Sequence, residues 1–222
     1  MANGITYLHN SSVTTDFGLF ATTNIWPALG MAFQPNQVGA MARLFKSGVL
    51  CDANGYWYNG APTTLFSVST SNPDCGSGWY NSHGLVRMAD GSGGWVGGVT
   101  FPTNPVEFTA PGARTTGPTE GDAYAVQEVP EGTNANGQSY GSAEGVDSDT
   151  ALPDLVAAYG SNGEFGYVKT TDLMAAEGSS AEVQTLPTTT NDRGEEIKAA
   201  PPRSISLFDT HGVTVLGQFV VG

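Results

Sequence analysis

Positive charge is scarce in this chain. Eight Lys and Arg stand against 21 Asp and Glu among 222 residues, a formal net charge of −13. Between Arg114 and Lys169 there is no Lys or Arg, while Glu120, Asp122, Glu128, Glu131, Glu144, Asp147, Asp149, Asp154 and Glu164 all occur there. Such a surface repels phosphate, which argues against nucleic acid and anionic lipid as partners. Long apolar runs are also missing: none approaches the roughly 18 residues that span a bilayer, so no membrane insertion is expected. The start MANGITYLHNSSV has neither a basic nor an apolar leader region, so an exported chain would have lost its leader or would leave by another route. No G-x-S-x-G, H-E-x-x-H, P-loop or dinucleotide fingerprint is present, which removes the usual supports of hydrolase and nucleotide chemistry.

Glycine is plentiful, at 30 residues with 13 Pro, and charged residues make up only 13%. Together with abundant Thr, Ser, Asn and Tyr, this composition describes short strands joined by tight turns. The expected fold is mainly β: two small antiparallel modules, sandwich or barrel-like, with a short helix or 3-10 turn in the second. ITYLHNSSVTTDFGLFATTNIW alternates in period two and reads as two or three strands. PNQVGAMARLFK, from Pro35 to Lys46, fits a strand better than a helix, because Gly39 and its β-rich surroundings weaken the helical option. Asp52–Gly55 (DANG) carries the Asn-Gly hairpin signal. LFSVST, GWYNSHGLVRMAD, the turn GSGG, WVGGVTF and PVEFTA continue the strand pattern.

The stretch 110–121, APGARTTGPTEG, has no large apolar side chain and suits an exposed connection, so a division into 1–114 and 115–222 is expected. Residues 1 to 112 hold three basic and five acidic groups, a balance of −2, which leaves −11 for the rest of the total of −13. The segment 174–203 reads as a long loop insertion.

Asn136–Ser142 (NGQSYGS), Pro153–Leu173 (PDLVAAYGSNGEFGYVKTTDL) and the closing SISLFDTHGVTVLGQFVV together resemble the C-terminal module of uncharacterised exported proteins of Gram-positive bacteria. ARLFKSGVLC and CGSGWYNSHGLV are similar to the first half of the same proteins. The resemblance implies export and a bacterial origin, and no activity. GSNGEFGYVKTTDL is also similar to the end of bacterial SH3-like repeats, modules that bind cell-wall peptides.

Chemistry-bearing residues are few. Cys51 and Cys75, the only cysteines, are too few for structural zinc without His partners, and a disulfide in an oxidising compartment is expected. His83, with Cys51, would imitate a Cys/His peptidase, but Cys51 is not at a helix N-terminus that would activate it. His9 reads as solvated and His211 as a turn residue in DTHG. Asp147, Asp149 and Asp154 could offer hard oxygens to calcium, although the EF-hand Gly and Glu are not in place. Tyr56, Trp57, Tyr58, Trp79, Tyr80 and Trp95 cluster within forty residues, interleaved with Asn, and flat rings of this kind suit sugar faces.

The function expected is that of an exported or cell-surface binding or structural module. It is non-catalytic and without cofactor, and its partner is a cell-wall glycan or a surface protein. The candidate binding residues are Trp57, Trp79, Trp95, Tyr56 and Tyr80. The rival readings are a secreted hydrolase using paired carboxylates, and a bacteriocin-like or toxin effector.

Overall fold

The computed structural model describes residues 4–71, 75–111, 128–175, 178–191 and 193–222. Residue 115, where the two halves were expected to divide, lies outside them. In chain order the first strands are β1 (Tyr7–Thr14), β2 (Phe20–Pro27), β3 (Val38–Met41), β4 (Arg43–Lys46), β5 (Val49–Ala53), β6 (Trp57–Asn59) and β7 (Phe66–Ser69). There follow β8 (Gly78–Ser82), β9 (Leu85–Ala89), β10 (Trp95–Val99), β11 (Val106–Phe108), β12 (Gly132–Thr133) and β13 (Ser139–Gly141). The last are β14 (Leu155–Tyr159), β15 (Phe165–Lys169), β16 (Thr188–Thr190), β17 (Glu196–Ala199), β18 (Arg203–Phe208) and β19 (Val215–Val221). A 3-10 turn at Asp149–Ala151 and the one-turn helices α1 (Thr170–Leu173) and α2 (Ser180–Val183) are the helical pieces. The protein is mainly β, with the small helical content expected.

Period-two alternation decides how the first layer forms. Along β1 and β2 every second side chain is turned inward, and β1–β2–β7 make a three-stranded antiparallel sheet. Its inner face, Ile25, Phe66 and Val68, packs on Val38, Ala40, Val86 and Met88 of a six-stranded sheet ordered β10–β9–β3–β6–β17–β16. This is a sandwich, built by burying one apolar face of each sheet.

The third sheet runs β11–β8–β4–β5–β19–β18–β15–β14–β13–β12. It curls back on itself: β5 pairs parallel with β14 at Leu50–Ala158 and with β19 at Ala53–Val221. Strands β5, β14, β15, β18 and β19 therefore form a closed ring, which removes the free edges of these strands. Val156, Ala158, Val168, Leu207, Phe219 and Val221 join Leu50 and Phe45 in its core.

Strands on either side of residue 115 thus share sheets. β5 belongs to the ring formed by the second half, and β17 extends the first half's sheet by pairing with β6. The segment 174–203, expected as a loop, contains α2 and the β16–β17 hairpin. Ser179 caps α2 reciprocally with Glu182 in a capping box.

The DANG signal does not close a hairpin. β5 and β6 lie in different sheets, and Asn54 instead accepts a 2.6 Å bond from the Ala42 amide through its side chain, at a corner where the chain changes sheet. The tight hairpin sits earlier, at Ser47 and Gly48 between β4 and β5, where φ is +49° and +85°. Two successive positive φ values are what a two-residue primed turn requires. Cys51 and Cys75 are joined by a disulfide, 24 residues apart. Closing such a loop removes unfolded-state entropy worth roughly 3 to 4 kcal/mol in the chain-entropy picture.

Candidate binding groove

The outer face of the three-stranded sheet is built by the side chains that the alternation leaves outside. Register places Asn10, Asn24 and Ser67 in one cross-strand row and Ser12, Thr22 and Ser69 in the next, with Thr14 opposite Phe20 beyond. The rows are hydrogen-bonded within themselves. Asn24 Nδ2 donates to Asn10 Oδ1 at 2.9 Å, Ser67 Oγ donates to Asn24 Oδ1 at 2.5 Å, and the Thr22 and Ser69 hydroxyls lie 2.9 Å apart. No charged side chain occurs in β1, β2 or β7.

A groove of about 610 Å³ lies along this face. Phe20, Thr22, Ser67 and Ser69 form one side, and the β16–β17 hairpin with Pro201 and Pro202 forms the other; Trp57 of β6 also lines it. The hairpin tip is held by Asn191, whose Oδ1 accepts from the amides of Arg193 and Glu195 while its Nδ2 donates to the Glu195 carboxylate at 2.7 Å. Among the described residues, Arg193 is the only charged one lining the groove, and none of them brings a carboxylate to it. Hydroxyls, amide groups and flat rings of this kind can bind a ligand by stacking and hydrogen bonding.

Comparison of the chain with family models, with curated proteins and with solved structures found no match.

Of the five aromatic candidates, Trp57 alone opens on this groove. Tyr80 is fully buried, its hydroxyl donates to the Gly76 carbonyl at 2.5 Å, and Phe108 meets it edge-on. Tyr56 is buried beneath the Arg87 guanidinium, which lies 3.4 Å from its ring centre. Neither ring is available for stacking on a ligand, because a row of apolar strands leaves only one face for solvent and the core claims the other. Trp95 is half-buried, donates to the Gly178 carbonyl at 3.0 Å, and lines a separate depression of about 390 Å³ with Arg87 and Asp149. Trp79 is half-buried on β8, opposite Glu107 of β11.

The Cys51 and His83 pairing does not form. Cys51 is held in the disulfide, so it offers no thiolate to His83. His83 is buried, its Nδ1 accepts from the Gly145 amide at 3.0 Å, and burial followed by the nearby Arg43 charge pushes its pKa down to about 4. His9, which reads as solvated in sequence, is half-buried, and that burial lowers its pKa. His211 stands exposed in its turn. The three aspartates do not converge: Asp154 accepts from Ser139 N and Oγ, while Asp149 lies against Gly97. Among the described residues no group of three His, Cys, Asp or Glu is placed to hold a metal.

Sequence reasoning passed over Phe20, Thr22, Ser67 and Ser69. The signal was present in the alternation of FATTNIWP and FSVS, but which of two faces is outside depends on the partner sheet.

Proposed function

We propose that this is an exported or cell-surface protein that binds glycan without catalysis, and that the groove beside Trp57 is its binding site. One observation carries the reading. The groove combines a tryptophan and a phenylalanine with hydroxyl and amide groups, and none of its described lining residues is a carboxylate. Sugar rings present an apolar face and a hydroxylated rim, and such a surface matches both. The disulfide supports an oxidising compartment, and no helix of the described residues is long and apolar enough to cross a membrane. A carboxylate hydrolase at this groove is disfavoured, since glycoside cleavage uses a facing pair of acids.

The test is retention on insoluble cell-wall polysaccharide and peptidoglycan, comparing wild type with Trp57→Leu. Leucine keeps apolar volume against the sandwich core, which Trp57 partly covers, and removes the flat ring. Retention is expected to fall about tenfold or more with an unchanged urea midpoint. Equal retention of variant and wild type, or no retention of the wild type on either polymer, would overturn the reading.

A further inference from the structure

We infer that the site continues past the groove along the outer face of the three-stranded sheet to Trp26, and that its ligand is an extended, uncharged polysaccharide chain. This deepens the glycan reading and rests on it. Trp26 is outward-facing on β2, with Asn10, Asn24, Thr64 and Leu65 around an open depression of about 440 Å³. That depression adjoins the groove. Asn24 lines one and Ser67 the other, and the two side chains are hydrogen-bonded to each other across adjacent strands. Phe20 and Trp26 are six residues apart on one strand, about 20 Å at strand rise. The lane thus has an aromatic ring at each end and hydroxyls and amides between, on a length that takes several sugar rings end to end.

Charge decides the ligand class. The protein carries −13 overall, yet the strands of this face hold no charged side chain. An anionic chain would be repelled by the molecule as a whole and, beyond Arg193 in the groove, would find no cation along the sheet. A neutral chain meets neither obstacle and satisfies the donors and acceptors of the lane. Leu8, beside Trp26 in register and 48% exposed, extends the apolar end.

The experiment is a length series of neutral β-linked oligosaccharides titrated against wild type, Trp26→Ala and Asn10→Ala/Asn24→Ala, with urea midpoints and sedimentation for each. Wild-type affinity should rise with oligosaccharide length and be insensitive to salt. Trp26→Ala should bind the shortest oligomers as wild type does and lose about tenfold on the longest. The amide double variant, which keeps both rings, should show the same length-dependent loss and guards against a Trp26 variant that fails to fold. If Trp57→Leu abolishes binding while Trp26→Ala and the amide variant match wild type at every length, the groove reading stands and the extension falls. Binding that weakens with salt, or that prefers an anionic polysaccharide, overturns the neutral ligand. A wild-type dimer dissociated by Trp26→Ala would make this face a self-interface and overturn the proposal.

Discussion

At the residue scale, two buried titratable groups pull stability in opposite directions. Burial raises the Asp52 pKa from 3.8 to about 6, against the opposing bond from Ser71 Oγ at 2.9 Å. Its folded pKa exceeds its unfolded one, so its contribution is full below pH 3.8 and is lost as pH rises through about 6. His83 runs the other way. Its pKa falls from 6.5 to about 4, so its contribution is full above pH 6.5 and is lost as pH drops through about 4. Between those values the two offset one another. Urea midpoints at neutral pH and near the middle of this window should therefore differ little on their account in the wild type. Relative to it, Asp52→Asn should lose stability on acidification, and His83→Gln should gain. Identical pH responses in all three proteins would refute the assignment.

At the element scale, the docking of the three-stranded sheet depends on one glycine. Gly84 lies between β8 and β9, and its amide donates to Thr100 Oγ1 at 2.9 Å and to Ser11 Oγ at 3.1 Å. A Cβ there would sit 1.9 Å from Thr23 Oγ1, on a buried threonine of β2. Only a residue without a side chain lets β2 approach this corner so closely. Gly84→Ala is expected to cost about 1–3 kcal/mol, read as a lowered urea midpoint, through overpacking. Thr23→Ala should recover part of that loss when combined with it, a coupling that a double-mutant cycle measures. Additive costs would place the strain elsewhere.

At the scale of the whole molecule, the ring of β5, β14, β15, β18 and β19 needs a strand from each side of residue 115. The core it encloses mixes Met41, Phe45, Leu50 and Leu85 with Val156, Val168, Leu207 and Phe219. Neither half completes this core alone, and cooperative folding follows from a shared core. Fragments 1–114 and 115–222 expressed separately should give collapsed amide spectra, whereas mixing them should recover dispersion. Dispersed spectra from each fragment by itself would show two autonomous modules after all.

What the sequence determines by itself is local. Alternation in YLHNSSVT and FATTNIWP, the GSGG turn before WVGGV, and the depletion of charge dictate short antiparallel strands, because pleating and turn chemistry act over a few residues. PNQVGAMARLFK becomes strands β3 and β4 for the same reason. Pairing over long separations is decided only in three dimensions. Whether DANG closes a hairpin, whether Tyr80 faces solvent or core, and whether Trp57 meets a hydroxylated sheet all depend on which sheet covers which. That choice is made by burying the most apolar area over the whole chain at once, a non-local sum that no window of sequence contains.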